Sequence, residues 1–415
     1  MNISTFKKAL LPLAVSLAIG PAAVSAAVQV QCPGDKDGSA IIGDAPGESA
    51  NPDIRCMHLS AGDGFATMGD GSTRYIFSFA DMTGLPTKTK NQKDAMIQAG
   101  ILAHEWAAPT IELEEGQEFY LSLTNVGMLM RPDLFDPHTV HFHGFPQSST
   151  VFDGLPESGL SIGMGATLTY YYKLNDPGTY MYHCHVEATE HMQMGMLGNL
   201  YINAGQNKLP NNTDLSGFTH QTGNQYAYND GDGSTYYDVD YPIQLGSFDG
   251  AFHDASETTQ PLPFALMVDN YPMINGRGYP DTVDPRTDTF PPADGFNDTY
   301  VPTGQSVSSL ITATAGQKVL LRISNLAITR FYTLQSLGIP MHVVGKDAKL
   351  LRGPTGADLS YDTNSVTVGG GESFDAILDT TGVAAGTYFL YTSNLNYLSN
   401  DTEAFGGMMT EIRIN

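Results

Sequence analysis

The chain has 415 residues, 15% of them charged, with a formal net charge of −24 and only three cysteines. So acidic a surface argues against nucleic acid and anionic membranes as partners, and favours cationic molecules or a basic redox protein. A length of this order suits two or three domains.

At the N-terminus, Lys7 and Lys8 precede an apolar run from Ala9 to Ile19, and small residues continue as far as Val24-Ser25-Ala26. This reads as a signal peptide over residues 1–26, with export to a periplasm or beyond. The run is shorter than the roughly 20 residues of a membrane-spanning helix, and no later stretch reaches that length, so no membrane span is expected. In an oxidising compartment Cys32 and Cys56 can pair, stapling an N-terminal extension (residues 27–84) onto the first domain. Cys184 is then left without a partner.

Helical periodicity is scarce. Between Thr110 and Asn125 the apolar positions Ile111, Leu113, Phe119, Leu121 and Leu123 recur with a period of two, the mark of half-buried strands. The pattern implies an all-β sandwich architecture. The stretch has an echo: Gly116-Gln117 and Thr124-Asn125 match Gly316-Gln317 and Ser324-Asn325, and Gly178-Thr179-Tyr180 matches Gly386-Thr387-Tyr388. Echoes in the same order at similar offsets predict a duplicated domain. The first copy is expected over 85–203 and the second over 239–415. The Asn-, Gly-, Asp- and Thr-rich segment 204–238 between them reads as a linker or insertion.

Six of the eleven histidines fall between positions 138 and 191. They form His138-Thr-Val-His141-Phe-His143-Gly144, and then His183-Cys184-His185 with His191 and Met196 beyond. Imidazole, thiolate and thioether together suit copper, and a His2Cys set with a weak axial Met is the blue-copper arrangement. If His183-Cys184-His185 lies on a strand, the histidines project to one face and the cysteine to the other. The thiolate can then serve one metal while its neighbours serve others, with His141 and His143 converging on them. Met192 and Met194 read as core packing, and Glu187 and Glu190 as solvated carboxylates in the loop between Cys184 and His191.

These motifs resemble those of the multicopper oxidase and copper nitrite reductase superfamily. His-Thr-Val-His-Phe-His-Gly is similar to the oxidases' His-Pro-x-His-x-His-Gly, and His-Cys-His with the later His and Met to their closing motif. The resemblance implies two cupredoxin-like Greek-key β-sandwich domains. It assigns His138, Cys184 and His191, with Met196 axial, to a type 1 copper. It gives His141 to a type 2 copper, and His143, His183 and His185 to type 3 coppers. An electron donor (a small molecule, metal ion or redox protein) and dioxygen are the partners it implies, and His141, His143, His183, His185 and Cys184 the catalytic residues.

The second copy departs from that pattern. Aligned on the echoes, His183, Cys184 and His185 face Tyr391, Thr392 and Ser393, while His141 faces His342 and His143 faces Val344. The first copy supplies half of a trinuclear cluster, so completion would need a neighbouring subunit, in a trimer by analogy. Two alternatives stand beside an oxidase: an electron-transfer or copper-handling protein with an incomplete cluster, and an enzyme of nitrite-reductase type. For the latter, His143 and His183 match the type 2 ligands, but His141 stands where that family has an aspartate. His58, His104, His220 and His253 lack cluster-like neighbours and read as structural or exposed.

Overall fold

The computed structural model describes residues 28–258, 261–283 and 307–415. The expected signal peptide lies outside the described residues. Eight strands build the first domain. One sheet runs in the order β2 (Thr73–Asp81), β1 (Ile54–Thr67), β4 (Glu118–Gly127), β6 (Thr167–Lys173). The facing sheet runs β3 (Ile111–Glu114), β8 (Leu197–Asn203), β7 (Gly178–His183), β5 (His141–His143). Alternate residues of both, among them Leu59, Phe77, Leu121, Tyr172, Phe142 and Tyr182, meet in one apolar core. The all-β sandwich expected from the period-two pattern is what forms.

The extension expected over 27–84 needs correction. From Ile54 onward it is part of the sandwich: β1 pairs in parallel with β4, Leu59 opposite Leu123, and antiparallel with β2. Its period-two signal is masked because the face away from the core carries buried polar residues. His58 is hydrogen-bonded to Thr124 and Ser60 to His104. Cys32 and Cys56 form the expected disulfide, which ties the preceding segment to β1. Among the described residues the α-helices are α1 (Lys90–Gly100), α2 (Ala188–Met194) and α3 (Gly250–Ser256).

The second domain repeats the plan. One sheet contains Tyr271–Ile274, Val239–Phe248, Lys318–Asn325, Ser373–Asp379 and Met341–Lys346 in that order, and the other contains Ile311–Ala313, Met409–Ile414, Gly386–Thr392, Tyr332–Leu337 and Ser365–Val368. The echoes have a structural cause. Gly116 and Gly316 hold φ of 93° and 95°, a conformation glycine adopts without penalty. The glutamines next in sequence reach back to accept the N–H of Glu114 and of Thr314. Asn125 and Asn325 each accept the N–H two residues on, and donate to Ile162 O and Val368 O. Tyr180 and Tyr388 each donate a hydroxyl to the carbonyl four residues earlier.

The segment expected as a linker or insertion over 204–238 is packed on the second domain. Ala227, Tyr228 and Tyr237 lie on Leu320, Val344 and Ile377 of the second domain. Asp230 organises the turn, accepting N–H groups of Asp232, Gly233 and Thr235. Lys318–Asn325 is buried on both faces, with Val319, Leu321 and Ile323 in the second core. Arg322, on its other face, lies over the ring of Tyr201 from β8 at 4.4 Å. The domain junction therefore lies against β7 and β8, whose ends carry the histidine-cysteine motif.

Candidate metal centres

His138, Cys184 and His191 each place one ligand atom within 4.8 Å of the others, and all three are buried. Three elements deliver them. His138 is fixed by a two-hydrogen-bond bridge between its backbone and that of Ile162. Cys184 comes directly after the last residue of β7, its N–H donating to Met196 O. His191 lies on α2, where a loop was expected. The helix is flanked by Glu187, with φ 44°, and by Gly195, with φ 129°. A Cβ at Gly195 would lie 2.9 Å from the Trp106 ring, so the turn that returns the chain to Met196 requires glycine. Met196 is fully buried in the same core cluster as Cys184.

The polar atoms of this site make chemical sense around a metal. Cys184 Sγ is 3.2 Å from His191 Nδ1. Both ring nitrogens of His138 and Nε2 of His191 are buried with no hydrogen-bond partner. Leaving such groups unsatisfied costs about 1–3 kcal/mol each, a penalty that coordination relieves at one nitrogen of His138. Burial holds the His138 pKa well below its ordinary value and His191 at about 3, and pushes the Cys184 thiol up to about 11. A bare thiolate or imidazolium is disfavoured here, whereas neutral imidazoles with a thiolate paired to a metal cation suit the cavity. The donor set fits copper.

A second grouping lies on the other side of the β7 end. His141, His143 and His183 bring ligand atoms within 4.8 Å of one another. His141 and His183 are cross-strand partners on β5 and β7, and their ring centroids are 5.2 Å apart. His185 joins them, its centroid 5.3 Å from His141 and 5.6 Å from His183. The strand ends at His183, yet the expected alternation persists: the rings of His183 and His185 stack while Cys184 faces the core. Hydrogen bonds orient the rings. His141 Nδ1 is 2.6 Å from Asp153 O and His183 Nδ1 is 2.8 Å from Cys184 O, so each ring donates there and leaves Nε2 for a metal. His143 Nδ1 stands 3.4 Å from His183 Nε2, two acceptors facing each other unless a proton or cation lies between.

Asp153 and Thr139, whose hydroxyl accepts the His185 N–H, were not singled out from sequence; the Asp153-Gly154 pair was a turn signal that could have pointed to the first. Glu190 corrects an expectation, since it is buried rather than solvated. His342 stands apart from the cluster, paired with Asp362 at 2.8 Å on the surface of the second domain. His58, His104, His220 and His253 are buried and hydrogen-bonded. A third group of possible ligands, Asp35, Asp37 and Glu48, accepts backbone N–H groups of its own loop.

Two family models, each described as multicopper oxidase, match residues 86–207 and 252–412, together more than half of the chain. A curated relative, multicopper oxidase MmcO of Mycobacterium tuberculosis, is 37% identical over 78 residues, which is 19% of this chain and 14% of that protein's length. Among solved structures, the blue copper oxidase of Nitrosomonas europaea superposes with a TM-score of 0.60 at 21% identity, covering 87% of this chain and 86% of the other. The copper nitrite reductase of Nitrosomonas europaea gives 0.54 at 14% identity over 87% and 94%. At these identities the superpositions show a shared fold.

Proposed function

The chain belongs to the multicopper oxidase superfamily, and from that premise we propose that it is an exported copper oxidoreductase. In this reading it takes electrons from a donor at a type 1 centre and passes them to a histidine-bound copper cluster, with dioxygen as acceptor. The observation that carries the reading is the sharing of one strand end: Cys184 serves one grouping while His183 and His185, its covalent neighbours, serve the other.

Copper would supply one-electron redox chemistry at both groupings and a binding place for oxygen at the second. The chain's own part is legible. His138, Cys184, His191 and Met196 would hold the type 1 ion in a site that excludes water, and such exclusion strengthens every electrostatic contact within it. His141, His143, His183 and His185 would hold the cluster. Asp153 O and Cys184 O set the orientation of two of those rings before any ligand arrives. The His183–Cys184 O hydrogen bond also ties the two groupings together through one peptide unit.

Export to a periplasm or beyond is supported by Lys7, Lys8 and the apolar run after them, and by a disulfide suited to an oxidising compartment. A homo-oligomer, a trimer by analogy, is supported by the ligand-poor second domain. Its His342 lies on the surface, where a neighbouring subunit could meet it.

Copper per chain and gas uptake test the reading. Two to four coppers with oxygen uptake sustain it. About one copper with blue absorption and no oxygen uptake supports an electron carrier instead, and anaerobic nitrite turnover supports a reductase.

A further inference from the structure

His191 has no exposed edge. Its side chain is 0% accessible, and Nε2, pointing away from Cys184, is buried. What covers it is the ring of Phe77 on β2, perpendicular to the imidazole with a centroid separation of 5.3 Å. The cover is anchored: His253 on α3 has one ring nitrogen 2.6 Å from Tyr75 O on β2 and the other 2.9 Å from Gln193 O on α2. A donor therefore cannot touch this ligand.

The rings behind Phe77 continue toward the surface. Tyr75 lies 6.5 Å beyond Phe77, and Phe65 lies 6.0 Å beyond Tyr75, both edge-to-face. These spacings lie within the range of direct aromatic contact. Phe65 is half-buried. Beside it, Asp63 accepts the hydroxyl of Tyr75 at 3.4 Å and the N–H of Met130 at 2.7 Å. Met130 and its neighbour Leu129 are exposed. A column of three rings thus runs from the covered histidine to half-buried Phe65, and Asp63, two residues before it on β1, holds the N–H of exposed Met130.

We propose that electrons reach the type 1 site along Phe65, Tyr75 and Phe77, from a one-electron donor docked at Phe65, Leu129 and Met130, without contact with His191. The proposal rests on the type 1 reading above. In each transfer one electron leaves the reductant and one arrives at the oxidised site. No bond forms or breaks, and no proton moves, because Tyr75 stays a neutral phenol hydrogen-bonded to Asp63 and Met128. The donor class is an outer-sphere reductant, and the chain's charge of −24 favours a cationic one.

The test uses the copper-loaded full chain under anaerobic conditions. Hexaammineruthenium(II) is mixed in and the bleaching of the blue band is monitored. Phe77→Leu and Phe65→Leu should each slow bleaching by roughly ten-fold or more while leaving the band's position and intensity unchanged. Tyr75→Leu, which removes the middle ring, should slow bleaching to a similar extent. Equal rates in the leucine variants overturn the relay. If Phe77→Leu does not fold, the half-buried Phe65→Leu decides. A second readout is chemical: diethyl pyrocarbonate should modify the accessible His342 and spare His191, and modification of His191 overturns the cover. A wild-type chain without a blue band removes the type 1 reading and the relay with it, whereas a band with equal rates removes the relay alone.

Discussion

Cys184 sits where two demands meet, since its sulfur faces the core and its carbonyl orients His183. Replacing sulfur by oxygen changes the first and spares the second. Cys184→Ser is therefore expected to abolish the blue charge-transfer band while the fold, read by circular dichroism, persists. A band surviving that substitution would remove the type 1 assignment. His143→Ala probes the other grouping. Even outer partners of metal ligands are worth roughly 10- to 100-fold in activity, so loss of a ligand should cost oxygen uptake at least that much. The blue colour should remain, because His143 lies across the strand from the thiolate. Unchanged uptake would exclude His143 from the cluster. At this scale the donor set was legible because soft and borderline ligands cluster within one stretch of chain. Phe77 was not, since an apolar residue in a strand reads as core whatever it covers.

Elements were legible where alternation was clean, as in β3 and β4, and where turn chemistry repeated, as at Gly116-Gln117 and Gly316-Gln317. They were hidden where both faces of a strand are buried. β1 reads as irregular because His58 and Ser60 point into a polar layer. Lys318–Asn325 carries Arg322, fully buried, between the core residues Leu321 and Ile323. The guanidinium donates to Asp240 at 2.7 Å and to Asn203 and the Tyr237 hydroxyl, joining both domains and the segment between them. Breaking one partner of a buried pair costs about 3–5 kcal/mol. Asp240 is partly exposed, so Asp240→Ala is expected near the lower end, about 3 kcal/mol, in urea unfolding of the second domain. A change below about 0.5 kcal/mol, the range of ordinary surface substitutions, would show that Arg322 is held by other groups.

Several buried histidines are held in their neutral form, and this sets how the fold responds to acid. His58 and His104 lie outside both metal groupings, and burial lowers each from 6.5 to about 4. His104 is satisfied as a neutral ring, donating from Nδ1 to Asp63 O and accepting the Ser60 hydroxyl at Nε2. A histidine with a depressed folded pKa binds its proton more readily when unfolded. Its contribution is therefore intact above pH about 6.5 and is lost as pH falls toward about 4. Each such ring contributes up to about 3 kcal/mol of that loss, from 1.36 kcal/mol per pKa unit. Burial raises the carboxyl of Asp375, beside Thr179 and Tyr228, and a raised carboxyl acts in the opposite sense. Unfolding midpoints in urea, measured across this window, should fall steadily on acidification. His104→Gln, which keeps a donor and an acceptor but cannot take a proton, should flatten that fall; an unchanged slope would mean that His104 is not among the groups destabilising the fold in acid.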